Sequence, residues 1–185
     1  MGVGMRILGV DPGSVATGFG SIEREAGRFV HRRHGVLRPP ADASMALRLS
    51  YLHRELLALV RDEAPEVVVV ERVFLAANPR SALVLGQARG AILASLGEAG
   101  VRIVELSARQ VKKSVTGTGA AGKAQVQSMV TRLLRLSEAP ATDAADALAL
   151  ALTWGQAGPL ADLPLRTRRR STRGAMTRLA LERMP

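Results

Sequence analysis

The sequence contains no cysteine, and only five of its 185 residues are aromatic. Without cysteine the chain can form neither a disulfide framework nor a zinc site built on thiolates. Its three histidines, His31, His34 and His53, do not have the spacing of metal ligands. Because aromatic side chains are so few, aliphatic side chains must form most of the core. An aromatic residue outside that core would therefore be a candidate for function.

Long hydrophobic runs are also missing. The longest apolar runs fall well short of the roughly 20 residues that a membrane-spanning helix needs. The N-terminal segment reaches Asp11 before a signal-like core develops. We therefore expect a cytoplasmic protein with no membrane contact. The length suits a single domain, which we assign to residues 1–156, and a domain of this size buries roughly 70% of the surface of its unfolded chain.

Acidic residues are outnumbered, because 16 aspartates and glutamates face 26 lysines and arginines, for a net charge of +10. Seven of the arginines fall within residues 156–185, so both this end and the remaining body are basic. A basic body predicts a polyanionic partner, although charge alone does not say which one. The tail, residues 157–185, has little apolar periodicity and is predicted to be disordered. It would serve as a solubilising end or as a nonspecific tether for nucleic acid.

Four of the acidic residues stand at the ends of apolar segments or within one. Asp11 follows residues 6–10, and Glu71 follows four consecutive valines, so each of these acids ends a predicted buried strand. Asp143 and Asp146 lie three residues apart in an alanine-rich run, where helical spacing places both carboxylates on one face. Like charges at that spacing repel each other, so a compensating partner is expected.

The order of the predicted segments indicates the fold class. Three strands with short connections, at residues 6–11, 17–22 and 28–38, predict an antiparallel meander. The elements predicted after them are a helix at 45–63, the valine strand, a helix at 81–97, a strand at 101–106, and helices at 123–136 and 143–154. This order predicts an α/β fold in which helices flank a mixed five-stranded sheet. If the strands ending at Asp11 and Glu71 are neighbours, the two carboxylates lie close together at one edge.

A cluster of carboxylates has a definite chemistry. Carboxylates that lie close together raise each other's pKa unless a cation lies among them. Oxygen ligands without histidine favour Mg²⁺ or Mn²⁺ over zinc. Two such ions about 3.5 to 4 Å apart can activate a water and stabilise the leaving oxygen of a phosphodiester. The structural alternative is that Asp11 starts a turn, Asp143 caps a helix and Glu71 pairs with Arg72 or Arg80.

Several ordered segments resemble the RuvC family of bacterial Holliday junction resolvases, which belong to the ribonuclease-H-like nucleases. The resemblance runs from Met5 to Trp154. It is carried by ILGVDPGS at residues 7–14 with TG at 17–18, ERVF at 71–74, AN at 77–78, SAL at 81–83, LGQARG at 85–90, ARQVK at 108–112, Lys123, QVQ at 125–127 and DAADALA at 143–149. Residues 1–4 precede the start of the resemblance and are expected to be an extension.

The resemblance assigns roles to individual residues. It implies that Asp11, Glu71, Asp143 and Asp146 are the catalytic metal ligands, holding two Mg²⁺ or Mn²⁺ ions. It implies that Lys112 and Lys123 lie near the scissile phosphate, where a lysine can stabilise developing negative charge. It also implies that Phe74 stacks on a base at the junction. The remaining basic residues that could contact the DNA backbone are Arg72, Arg80, Arg89, Arg109 and Lys113.

The same resemblance implies an activity and partners. The chain would be a Mg²⁺-dependent endonuclease that resolves four-way DNA junctions by paired symmetric nicks in recombination and repair. It would act as a homodimer, which suits the nicking of two opposed strands, and with a branch-migration motor complex. The predicted helix at 81–97 has apolar surface that could pack on the sheet or form the dimer.

Two other classes of function remain open. The first is an architectural protein that binds junctions without cutting them, in which the four acids are structural. The second is an actin-like ATPase or sugar kinase, because the residues DPGS at 11–14 also resemble a phosphate loop of that class. Those folds need a duplicated lobe, and this chain has one such loop, which weighs against them.

Overall fold

A computed structural model describes residues 4–72 and 78–157 of the chain. The chain begins with three consecutive strands, β1 (Met5–Asp11), β2 (Thr17–Glu25) and β3 (Arg28–Leu37). The elements that follow are α1 (Met45–Glu63), β4 (Val67–Arg72), α2 (Pro79–Glu98), β5 (Arg102–Ser107), α3 (Ala108–Thr116), α4 (Lys123–Leu133) and α5 (Thr142–Ala157). The predicted tail lies outside the described residues except for Ala157, which ends α5.

The five strands form one mixed sheet in the order β3-β2-β1-β4-β5. Strands β1, β2 and β3 pair antiparallel, whereas β4 is parallel to both β1 and β5. This topology confirms the predicted mixed sheet with its antiparallel meander. Val10 pairs with Val70 across β1 and β4. The next residues, Asp11 and Glu71, therefore lie side by side at the ends of these strands, as the sequence predicted.

The two faces of the sheet bury different helices. Ile7, Val67 and Val69 belong to a core cluster with residues of α3, α4 and α5. Leu8, Val10, Val68 and Val70 instead pack with α1 and α2. Because side chains alternate between faces along a strand, Asp11 and Glu71 point to the same face as Ile7 and Val69. We call this the α5 face and the opposite one the α2 face.

Helix α5 lies unusually close to β1 and β2 because three glycines face it. A Cβ on Gly9 would lie 1.8 Å from the carbonyl oxygen of Ala147, and one on Gly18 would lie 1.9 Å from that of Asp143. On Gly20 a Cβ would meet the side chain of Leu148 at 2.5 Å. Glycine in the interior of a strand usually weakens it and often marks such a close approach. These glycines let the helix backbone rest on the sheet, and the sequence analysis did not identify them.

Local sequence accounts for the helix boundaries. Helix α1 covers the predicted residues 45–63, with Ser44 as its N-cap. Helix α2 begins two residues earlier than predicted, because the Asn78 side chain accepts a hydrogen bond of 2.9 Å from the backbone N–H of Arg80. Within the described ranges, no helix is both long and apolar enough to cross a membrane.

Helix α3 was absent from the sequence prediction, which placed two helices after β5 where the structure has three. The helix has nine residues, and its start carries a capping box in which Ser107 and Gln110 bond to each other's backbone. Val111 and Val115, four residues apart, are its buried side chains. This short amphipathic pattern was the signal that could have identified α3. The omission matters because the helix carries Arg109, Lys112 and Lys113.

Candidate active site

Three of the four acids predicted to act together, Asp11, Glu71 and Asp146, line one cleft at the ends of β1 and β4. The cleft has a volume of about 210 Å³ and lies on the α5 face. Its lining residues are Asp11, Glu71, Ala108, Val111, Lys112, Lys123, Val126, Asp146 and Leu150. A larger open depression of about 670 Å³ lies at the opposite edge of the sheet, around Pro65 and Val101 at the starts of β4 and β5. It is far from the predicted acids.

Three elements bring the acids together. Asp11 is the last residue of β1, and Glu71 is the last but one of β4. Asp143 and Asp146 lie near the N-terminus of α5, where the helix dipole favours negative charge. The backbone of Asp143 rests on Gly18, and Gly18 is the residue that pairs with Asp11 in the sheet. Asp143 does not line the cleft itself, but its charge acts on both Asp11 and Asp146.

Burial and mutual repulsion disturb the ionisation of this acidic cluster, by which we mean Asp11, Glu71, Asp143 and Asp146. Burial, followed by the negative charges of Glu71 and Asp146, raises the pKa of Asp11 to about 8. Protonated Asp11 donates a hydrogen bond to Glu71, which favours the charged form of Glu71. Burial nevertheless raises the pKa of Glu71 above its ordinary value. Asp11 and Glu71 thus behave as a pair that shares a proton.

Two lysines oppose this repulsion. Burial raises the pKa of Asp146 and the charge of Asp143 adds to it, whereas Lys123 acts in the other direction. The Lys123 ammonium lies 3.9 Å from a carboxylate oxygen of Asp146, and its side chain is 72% exposed. Lys112, on α3, also lines the cleft. Exposed Lys113 is not among the lining residues, so Lys112 is the lysine of α3 that faces the cluster.

The donor set fits a divalent cation. Across residues 4–72 and 78–157, no three acidic or histidine side chains are close enough together to form a ready coordination shell. The donors of the cluster are carboxylate oxygens, which are the ligands that hard divalent cations prefer. A cation among them would replace the proton that Asp11 and Glu71 share, and would lower the raised pKa values of these acids. Asp11, Glu71, Asp143 and Asp146 are the residues that would hold it.

The arginines predicted to bind DNA lie in different places. Arg80 is exposed at the start of α2, and Arg109 is exposed on α3, with its side chain against Gly119. Arg72 and Arg89 both contact Glu105 of β5, which points to the α2 face. Their role as DNA contacts stays a prediction. Phe74 lies outside the described residues, so its predicted base stacking also stays a prediction.

The sequence reasoning missed two groups of residues around the site. The first is the set of glycines that admit α5, whose signal was glycine recurring inside apolar strands. The second is Glu105, which gave no signal of its own. Glu105 lies one residue before Leu106, which pairs with Glu71. Its place beside the site is evident only from the sheet order, in which β5 is the neighbour of β4.

The chain is similar to known proteins over nearly all of the described region. Residues 7–154 match the sequence model of the family described as crossover junction endodeoxyribonuclease RuvC. A relative of that name from Hyphomonas neptunium is 50% identical over 160 residues, which cover 86% of this chain and 96% of the relative. Thermus thermophilus RuvC has a similar structure, with a TM-score of 0.75 and 32% identity over 85% of this chain and 97% of that one. A structure of T. thermophilus RuvC in complex with Holliday junction substrate aligns with a TM-score of 0.74 and 30% identity, covering 83% of this chain and 94% of that one.

Proposed function

The chain belongs to the RuvC family of crossover junction endodeoxyribonucleases, and on that premise we propose that it resolves four-way DNA junctions in recombination and repair. The substrate is a four-way junction, and the reaction is hydrolysis of phosphodiesters at the acidic cluster. The observation that carries this proposal is the cleft that joins Asp11, Glu71 and Asp146 to Lys112 and Lys123. Carboxylates beside lysines suit a substrate that is itself anionic, because the lysines attract what the acids alone would repel.

The cation requirement follows from the cluster. Two Mg²⁺ ions, or Mn²⁺ in their place, would activate water and stabilise the leaving oxygen when bound to the four acids. The acids must lose the proton that Asp11 and Glu71 share before they can ligate a cation. The α5 backbone on Gly18 fixes where Asp143 stands relative to Asp11. The chain therefore supplies a rigid set of oxygen donors.

The two lysines of the cleft have a role different from that of the acids. Lys112 and Lys123 come from two different helices, α3 and α4, and both line the cleft. An ammonium group there can bind the scissile phosphate and stabilise the negative charge that develops during cleavage. Phe74 would stack on a base beside the cut, in keeping with its position three residues after Glu71.

The proposal includes partners. A homodimer would place two clefts for paired symmetric nicks of opposed strands. Helix α2 has an exposed surface suited to that contact, since Leu83 is 65% exposed and a Cβ on Gly86 or Gly90 would meet open space. We also propose that the protein works in the cytoplasm together with a branch-migration motor complex, as the family resemblance implies.

The test is an incubation of the purified protein with an end-labelled synthetic four-way junction and with a linear duplex of matched sequence. Each substrate is used with Mg²⁺, with Mn²⁺ and with no divalent cation, and the products are mapped. We expect symmetric nicks at the junction that require the cation. Tight binding without cuts in either metal would favour an architectural protein. Equal cutting of the linear duplex would show a nuclease without selectivity for junctions.

A further inference from the structure

The α2 face of the sheet carries a charged network directly behind Glu71. Arg89 of α2 donates a hydrogen bond of 2.6 Å from one guanidinium nitrogen to the backbone carbonyl oxygen of Glu71. Its other terminal nitrogen donates to a carboxylate oxygen of Glu105 on β5. The second carboxylate oxygen of Glu105 lies 3.7 Å from Nε of Arg72. One carboxylate therefore joins two arginines at the ends of two neighbouring strands.

This network lies where β4 has the least support. The ladder between β1 and β4 ends at Val10 and Val70, so it stops one residue short of Glu71. On the other side Glu71 pairs with Leu106 of β5, and β4 ends at the next residue. The last residues of a strand open more readily than its centre. Glu71 thus needs contacts beyond the sheet if its side chain is to stay in place.

Arg89 is not placed to reach the DNA that would occupy the cleft. Helix α2 packs on the α2 face through Ile92 and Leu96, whereas the cleft opens on the α5 face. The Arg89 side chain is only 16% exposed. A buried guanidinium is costly unless an acid compensates it, and Glu105 provides that charge. Arg89 thus pairs with the carboxylate of Glu105 on one side and binds the backbone carbonyl of Glu71 on the other.

We propose that Arg89 and Glu105 are positioning residues, which hold Glu71 in the geometry for cleavage from the face of the sheet opposite the substrate. The proposal rests on the function proposed above. Arginine is required because its planar fork donates to two acceptors at once, whereas a lysine ammonium is a single compact charge. Arg72 assists by holding the second oxygen of Glu105.

The test compares Arg89→Lys and Glu105→Gln with a control on the same helix. The control is Glu98→Gln, at the far end of α2, where a carboxylate oxygen of Glu98 lies 3.2 Å from Nε2 of His53. Three quantities are measured for each protein: the single-turnover cutting rate at saturating protein, the junction Kd in Ca²⁺ at several salt concentrations, and amide hydrogen exchange in metal-free protein. Thermal unfolding of each variant confirms that it is folded.

We expect Arg89→Lys to lower the cutting rate by about 10- to 100-fold, as a displaced catalytic group does. The Kd should change by less than about twofold, because no phosphate contact is lost. Amides of residues 71–72 and 105–107 should exchange faster, while the rest of β4 is unchanged. Glu105→Gln should act in the same direction but less strongly, since its amide oxygen still accepts a hydrogen bond. Glu98→Gln should leave all three quantities unchanged.

A different pattern would overturn the proposal. If Arg89 contacts phosphate, Arg89→Lys or Arg89→Ala would weaken binding, and the alanine variant would reduce the salt slope by about one while the saturated rate stays the same. Unchanged exchange at residues 71–72 would overturn it as well. If the wild-type protein cuts no junction, the proposed function fails, but the exchange measurement still decides whether Arg89 and Glu105 hold the end of β4.

Discussion

The two faces of the sheet at the ends of β1, β4 and β5 differ in how their charges are balanced. On the α2 face, the carboxylate of Glu105 is matched by Arg72 and Arg89. On the α5 face, acids stand together, and burial with mutual repulsion raises the pKa of Asp11 to about 8. Charges that only hold elements of the fold together, like those on the α2 face, can be paired within the protein. Acids that stay mutually repulsive in a cleft, with two lysines compensating only part of their charge, indicate where a ligand is to bind.

Removing a charge from the acidic cluster should have the largest effect. Asp143→Asn keeps the shape of the side chain but removes the charge that would help to hold a cation. We expect the cutting rate to fall by at least about 10³-fold, the equivalent of some 4 kcal/mol of transition-state stabilisation. Junction binding measured in Ca²⁺ should change by less than about threefold, since most affinity comes from contacts to phosphates. A variant that cuts within tenfold of the wild-type rate would contradict this assignment.

Removing a lysine from the same face should have a smaller effect. Lys123→Ala takes away the ammonium that lies 3.9 Å from Asp146. We expect the single-turnover rate to fall about 10²-fold, as when one preorganised group that stabilises transition-state charge is lost. Lys123→Arg should recover part of that rate, because the positive charge remains.

The matched control for that lysine is on the same helix. Arg132→Ala removes an exposed positive charge near the end of α4, outside the cleft. It should leave the rate at saturating protein unchanged. If Arg132→Ala and Lys123→Ala lower the rate equally, the effect of Lys123 is one of general charge and not of its place in the cleft.

The geometry of the acidic cluster also depends on how closely α5 approaches the sheet. Gly18→Ala places a Cβ against the carbonyl oxygen of Asp143 and must displace the start of α5. We expect the free energy of unfolding to fall by about 1 to 3 kcal/mol, as for other overpacked sites. The cutting rate should fall by about tenfold or more, because Asp143 moves away from Asp11. Both are measured, by urea unfolding and by single-turnover cleavage.

A second glycine provides the control. Gly97, near the end of α2, has open space where a Cβ would stand. Gly97→Ala should therefore keep the cutting rate and add up to about 1 kcal/mol to the free energy of unfolding, since alanine favours the helix. Equal losses in the two alanine variants would show that the close approach at Gly18 has no special role.

The sequence was sufficient to predict the sheet and the place of Asp11 and Glu71 within it. Apolar runs define buried strands, and an acid that ends such a run must lie at an edge. The depth of α5 against the sheet could not be predicted, because a glycine in a strand is equally consistent with a bulge. Arg89 was predicted from its charge alone as a DNA contact. Its bond to the backbone of Glu71 depends on which face of the sheet α2 covers, and only the three-dimensional structure gives that.

The last prediction concerns the pH dependence of stability and distinguishes the acidic cluster from the rest of the molecule. The pKa of Asp11 is raised from 3.8 to about 8 in the folded protein, so folded Asp11 keeps a proton that the unfolded chain has already lost between these values. A group of this kind contributes stability at low pH that is lost as the pH rises through the folded pKa. We therefore expect metal-free protein to become less stable from about pH 5 to pH 8, by urea unfolding, and Asp11→Asn to flatten this decline. Excess Mg²⁺ should flatten it in the wild-type protein, because cation binding takes the place of the proton. If the stability of Asp11→Asn declines equally with rising pH, a group other than Asp11 is titrating. The raised pKa of Asp11 would then no longer support the cation site.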